Sequence, residues 1–464
     1  MNPDPVHALR DASPTPFWLD HPGRPQASPA LVGPTDCDLL VVGGGYTGLW
    51  TALIAKERDP SADVVVIEAE QVGGAASGRN GGFCESSLTH GLGNGIARWP
   101  NEIGRLERLG RENLQAMQDT IERYGIDCDW ERTGSLAVAT EPYQLAGLEE
   151  EIEAARRYGT ELTPLDEAAV RAEIDSPTFL GGLWDKDGVA MVDPAKLAWG
   201  LKRACQELDV RVYEHTPGTG LTEDGARVAV TTPYGRVRAR RVALATNAYP
   251  SLLRRHRPYT VPVYDYALMT EPLTEAQLAS VGWKNRQGWA DCANSFHYVR
   301  LSADNRILWG GYDAVHRREV RAEHDQRPAS YVTLARHFFA TFPQLAGVRF
   351  SHAWGGAIDT STRFCVFFDT SHRGKVAYAA GYTGLGVGAT RFGAEVMLDL
   401  LAGQRTERTS LELVRRKPLP FPPEPVRSLG IGITQWSLAR ADAHEGRRNL
   451  WLRTLDRAGL GFGS

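Results

Sequence analysis

No run of 18 or more apolar residues occurs anywhere in this 464-residue chain, so no segment has the length of a membrane-crossing helix. The opening residues, MNPDPVHALRDASPTPFWLD, carry prolines and charges where a secretory leader needs an apolar core. A cytoplasmic protein with no membrane partner is therefore expected. An excess of one charge is lacking too. The 52 basic and 56 acidic residues leave a net charge of -4, which sets up no overall field for nucleic acid, and specificity must be local. Cysteine is sparse: Cys37, Cys84, Cys128, Cys205, Cys292 and Cys365 lie far apart, with no CxxC and no Cys/His spacing for a tetrahedral ion. They read as reduced thiols, mostly in the core, and no metal is expected.

What is present is enough apolar residue, 42%, to fill the cores of two or three domains. From Cys37 the run Leu39-Leu40-Val41-Val42 meets Gly43-Gly44-Gly45-Tyr46-Thr47-Gly48, and Leu49 to Ala55 continues with helical character. That is a strand, a tight turn and a helix. A second β-branched run, Val64 to Ile67, ends in Glu68 and completes a βαβ unit. In such a turn Gly43 permits the bend, Gly45 lets a pyrophosphate approach the backbone, and Gly48 lets the helix pack on the strand. Tyr46 and Thr47 open the helix, whose N-terminal N–H groups face the anion. Glu68 stands where a carboxylate accepts both ribose hydroxyls of an adenosine, which argues against a 2′-phosphate.

FAD rather than NAD is indicated by the next segment. Gly73 to Phe83 is a long small-residue loop with more glycine than a helix connection needs, suited to a backbone wrapped closely around a long cofactor. Here a resemblance becomes specific. The G-A-x-S-G-R-N-G-G run, the Ala245-Thr246-Asn247-Ala248 strand end, YxRLxxDNRxLxGG at Tyr298 to Gly311 and GYTGLG at Gly381 to Gly386 resemble the D-amino-acid-oxidase-like FAD-dependent oxidoreductases, nearest their gamma-glutamylputrescine oxidoreductase branch. The resemblance covers roughly residues 15 to 405. It implies that Gly74, Ala75, Ser77, Arg79, Asn80, Gly81 and Gly82 line the stretch from pyrophosphate to flavin, and that Thr246 and Asn247 close over the adenosine. It implies also that Gly381, Gly384, Leu385 and Gly386 sit beside the flavin ring. Because that loop leads into a helix expected over Thr390 to Leu401, its amides can point at the flavin N1 and C2 carbonyl, where negative charge develops on reduction.

The resemblance also implies a fold: α/β, with a Rossmann-like FAD-binding domain of the glutathione-reductase type interleaved with an α+β substrate domain built on an antiparallel sheet. We assign residues 37–90, 185–250 and 350–410 to the first and 91–184 and 251–349 to the second, with an N-terminal arm at 1–36 and a C-terminal arm at 411–464 that closes on the surface. Helical spacing runs from Asn101 to Tyr124 and from Leu148 to Arg157, and Asp193-Pro194 opens a further helix. Val210 to Glu214, Ala226 to Thr231, Val237 to Ala245 and Val376 to Ala380 read as strands.

Against the sarcosine-oxidase branch of the same family, the Arg and Lys that hold a substrate carboxylate match Cys84 and Gly388 here, and the cysteine that attaches flavin matches Gly356. An amino-acid carboxylate thus loses both anchors, and FAD is expected to bind non-covalently. The oxygen-activating Lys of that branch matches Trp309. The segment His297 to Gly311 is a hairpin. Alternation puts Phe296, Tyr298 and Arg300 on one face and His297, Val299 and Leu301 on the other. If Ser302 pairs with Asn305, Tyr298 faces Trp309, and the two rings form either an aromatic wall for an amine or part of the core. Tyr264 and Tyr266 share a face, with substrate contact and core burial both open. Tyr298, Trp309, Trp354 and Tyr382 are the candidate catalytic residues; Phe83, Tyr264, Tyr266, His297 and Arg300 are the candidate substrate contacts. The expected reaction is oxidation of an amine C–N bond, by hydride transfer to flavin N5 and hydrolysis of the imine, with oxygen or another electron acceptor. An FAD-dependent monooxygenase or a non-catalytic flavoprotein are the alternatives.

Overall fold

The computed structural model describes residues 4–461. The first three residues of the expected N-terminal arm and the last three of the C-terminal arm lie outside them. Two large sheets organise the chain. In the first, the strand Thr35–Val42 is central, and it pairs in parallel with Val64–Ile67 on one side and Gly235–Leu244 on the other. Arg211–Tyr213 extends it beyond Val64–Ile67, Val376–Ala380 beyond Gly235–Leu244, and the antiparallel strand Phe367–Ser371 closes that edge. Leu39 to Val42 and Val64 to Ile67 are buried without alternation, as strands covered on both faces must be. On one face lie the helices Tyr46–Arg58, Pro194–Glu207 and Gly386–Ala402. On the other lies the core around Leu40, Val228, Val242 and Tyr378. Asp193 caps its helix by accepting from the N–H groups of Ala195 and Lys196, with Pro194 at the first turn.

The second sheet has nine strands and is antiparallel except where Gly288–Asp291 runs parallel to Ser135–Ala139. Its long strands, Thr260–Thr270 and Phe350–Ser361, pair almost end to end. Residues 350–361 therefore belong to this sheet, not to the nucleotide domain, and the expected boundary at 350 is corrected. Likewise the helix Ile103–Arg123, expected with the substrate domain, buries Leu106, Leu114 and Met117 in the core of the nucleotide sheet. Leu145–Arg157 does pack on the second sheet.

The hairpin of His297–Leu301 and Ile307–Gly311 differs from the expected register by one residue. Ser302 pairs with Arg306, because the loop has three residues, Ala303 to Asn305, the last with a φ of 61°. Tyr298 thus faces Gly310, and Trp309 faces Val299. One step of register moves a side chain to the opposite face of the sheet. Trp309 accordingly lies in the aromatic core beneath the helix Pro328–Thr341, with ring centroids 5.6 Å from both Trp289 and Phe338.

The arms are more structural than expected. Trp18 is buried between the sheets and donates its indole N–H to the Asn80 carbonyl at 2.9 Å. The C-terminal arm forms the helices Val426–Asp442 and Leu450–Arg457. The Asp442 carboxylate latches it to the second sheet, accepting from Asn294 N and Nδ2 and from Ser295 N at 2.9, 2.6 and 3.0 Å.

Candidate active site

A cavity of about 890 Å³ is lined by both sheets and by the inner side of the C-terminal arm. Its nucleotide end begins at the glycine turn. Gly43 has a φ of 112°, and a Cβ there would lie 2.4 Å from the Ala245 carbonyl oxygen; a Cβ on Gly48 would lie 1.9 Å from the Gly43 carbonyl. Only glycine lets the helix Tyr46–Arg58 start this close to two strand ends. No side chain caps that helix at Gly45, although Ser77 Oγ accepts from Tyr46 N at 3.0 Å. The backbone of Gly45, Tyr46 and Thr47 lines the cavity, so the positive helix end opens into it. Glu68 closes the next strand and accepts from Gly44 N at 2.6 Å and from Glu70 N at 3.0 Å, while burial pushes its pKa upward.

A second helix start opens into the same cavity. The helix Gly386–Ala402 begins four residues earlier than expected, so Gly386 to Gly388 form its first turn, and its N-cap Leu385 carries no side-chain cap. Gly384, Leu385 and Gly386 all line the cavity. The Asp359 carboxylate holds the preceding loop by accepting from Gly381 N, and burial raises its pKa to about 7. Two uncapped helix ends in one elongated cavity, with a carboxylate at the strand end, suit a dinucleotide carrying a pyrophosphate and an electron-accepting ring.

The loop between them is stapled rather than free. Arg79 Nε donates to the Gly74 carbonyl, its guanidinium pairs with Asp325 at 2.5 Å, and the Trp354 indole donates to the Arg79 carbonyl at 2.9 Å. Asn80 bonds Ala76 O, Ser77 O and Gly82 N. Ser77, Arg79, Asn80, Gly81 and Asn247 line the cavity; Gly43, Gly48, Glu68, Gly74, Ala75, Gly82, Thr246 and Gly381 do not.

Of the candidate catalytic residues, Tyr298, Trp354 and Tyr382 reach the cavity and Trp309 does not. Tyr382 accepts from Thr47 Oγ1 at 3.1 Å, and burial pushes its phenol upward. Tyr298 lies across Gly310, where a Cβ would meet the ring at 2.3 Å, and donates its hydroxyl to Asp265 Oδ2 at 2.8 Å. Burial raises Asp265 to about 6. Phe83 meets the Tyr298 ring edge-on, with centroids 6.1 Å apart. Of the other substrate candidates, Arg300, His297 and Tyr264 do not line the cavity and Tyr266 does. Arg300 is buried and donates to the carbonyls of Val192 and Gly82, bracing the loop. His297 bonds Asp291 at 2.6 Å and His337 at 3.0 Å on the far face of the sheet. Tyr264 and Tyr266 are core residues whose hydroxyls bond the carbonyls of Arg321 and His324, though Tyr266 touches the cavity.

The strand Phe83–Glu85 adds a correction. Cys84 is fully buried and turned toward Met117, with its sulfur 3.8 Å away, so Phe83 and Glu85 are the residues that face the cavity. Glu85 and Asp265 were both readable from alternation, being two residues from Phe83 and one from Tyr264; the arm's Leu452 and Leu455 carried no such signal.

Residues 38–400 match the family DAO, FAD dependent oxidoreductase. The chain belongs to this family. It is 36% identical to the gamma-glutamylputrescine oxidoreductase of Escherichia coli K12 over 378 residues, 79% of this chain and 84% of that one. It is 28% identical to the probable oxidoreductase OrdL of Haemophilus influenzae over 412 residues, 85% and 89% of the two chains. Its fold is shared with the glycine oxidase of Geobacillus kaustophilus, at a TM-score of 0.68, 18% identity and coverage of 82% and 99%. It is thus an FAD-dependent oxidoreductase. Among the described residues no cysteine lines the cavity, and the cofactor of the family is FAD. No helix among the described residues is long and apolar enough to cross a membrane, and no group of three or more metal-ligating side chains occurs there.

Proposed function

We propose that the chain oxidises the C–N bond of an amine lacking an α-carboxylate, and that it does so in the cytoplasm. The observation that carries this reading is the charge of the cavity wall. Each arginine lining it is paired within the protein: Arg79 with Asp325, Arg427 with Glu424 and Arg448 with Asp456. No lysine lines it, and burial lowers the pKa of His90 there to about 4, so no free cation waits for a carboxylate. FAD, when bound, would supply the two-electron acceptor for a hydride leaving the α-carbon. The protein's own part is placement and charge.

Tyr298, its proton committed to Asp265, offers its oxygen and ring face to the amine. Asp265, raised to about 6, is ionised at neutral pH, attracts an approaching ammonium and can accept the proton that the ammonium must shed. Trp354 and Tyr382 fix the loop and the two helix ends between which the substrate must sit. The arm, through Leu452 and Leu455, keeps water from the reaction. Hydrolysis of the released imine gives a carbonyl compound and a smaller amine, and oxygen or another acceptor takes the electrons. Anaerobic titration of the holoenzyme with amines and amino acids tests the reading: primary amines should bleach the flavin absorbance, and sarcosine or D-alanine should do so poorly. Efficient bleaching by the amino acids would refute it.

A further inference from the structure

The chain's most exposed chemical opportunity within the cavity is one carboxylate without a partner. Among the described residues no hydrogen bond or ion pair is made by the Glu85 side chain, although it lines the cavity. Its position is rigid. The strand Phe83–Glu85 pairs with Val189–Met191, and the Glu85 carbonyl oxygen lies 2.0 Å from where a Cβ on Gly388 would stand, in the first turn of the flavin-side helix. Among the described residues the charge that acts on it is that of Asp185, which is also negative. Phe83, one pleat away on the same face, and Tyr298 beyond it supply aromatic surface beside the carboxylate.

Resting on the reading above, we propose that Glu85 anchors a cationic group of the substrate, and that the enzyme thereby selects amines carrying a second ammonium: diamines and polyamines. The amine that reacts must be neutral, whereas the second stays protonated and finds in Glu85 a charge-assisted acceptor in a low-dielectric wall. Burial already pushes Glu85 up to about 7, the mark of a carboxylate short of a counter-ion. A substrate carboxylate at this place would meet repulsion instead.

The test compares hexylamine, 1,6-diaminohexane and 6-aminohexanoate, which differ only in the far end, with shorter diamines to find the span. Binding to the oxidised holoenzyme is read from the shift in flavin absorbance, and reduction from anaerobic bleaching. In the wild type the diamine should bind about ten- to a hundredfold more tightly than hexylamine, the range of a hydrogen bond to a charged group. Glu85→Gln should erase that advantage and leave hexylamine unchanged, and Glu85→Arg should favour 6-aminohexanoate. Equal wild-type binding of hexylamine and every diamine would overturn the proposal without any variant, as would a diamine preference that survives Glu85→Gln. If diamines bind in a Glu85-dependent way but no amine bleaches the flavin, amine oxidation fails and the anchor stands.

Discussion

At the scale of single residues, the wall of the site is decided by which way each side chain of a strand points. Trp309 illustrates it. Its place in the sequence matches an oxygen-activating lysine, yet its ring is packed among Trp289, Phe338 and Phe342. Trp309→Lys should therefore lower stability by about 3–5 kcal/mol, the cost of emptying an aromatic site, and more if the ammonium stays charged. Thermal melting measures it, and a variant as stable as wild type would mean that the ring is not core. Glu85 gives a pH signature. Its folded pKa, about 7, lies above the unfolded value near 4.5, so the unfolded chain releases its proton first as pH rises. Stability from this group is full below pH 4.5 and is lost on the way to about pH 7. Glu85→Gln should match wild type in unfolding free energy at pH 4.5 and exceed it at pH 8, by up to about 3 kcal/mol and less as water enters the cavity. A constant difference at both pH values would rule this out. The glycine turn, the strand-end Glu68 and the flavin-side loop were legible from sequence because each is a local pattern. The pairing of Tyr298 with Asp265 was not, because it depends on a hairpin register set by a single left-handed Asn305.

At the scale of elements, the C-terminal helices line the cavity, and the Asp442 latch ties them to the second sheet. Asp442→Ala removes an acceptor from three donors and should loosen the arm. Trypsin should then cut faster in the 415–427 segment, and the apparent Kd for amines should rise about tenfold, the scale of one charge-assisted hydrogen bond, while FAD content stays unchanged. Unaltered cleavage would show that apolar packing alone holds the arm. Sequence pattern placed this arm at the surface and did not show that its inner face lines the pocket, since amphipathic helices do not reveal what they cover. The boundary near residue 350 was missed for a related reason. A long strand such as Phe350–Ser361 reads the same in either sheet, and only its partner, Thr260–Thr270, decides.

At the scale of the whole molecule, the two sheets share one cavity in which every arginine is neutralised and no lysine is present. A reduced flavin there lacks the nearby cation that eases the first electron transfer to oxygen. The photoreduced holoenzyme should reoxidise slowly in air-saturated buffer and rapidly with an artificial acceptor, as stopped-flow absorbance will show; fast reaction with oxygen would mean that a bound cationic substrate or a paired arginine supplies the charge. The same interleaving bears on how the protein is made. Thr35–Val42 and Val64–Ile67 emerge early from the ribosome, but the strand Val376–Ala380, which completes the parallel row, follows roughly 300 residues and about 15–60 s of synthesis later. During that interval a half-built apolar sheet edge faces solvent, so a cold-shifted culture or a co-produced holdase should raise the soluble yield more than any change to the folded surface.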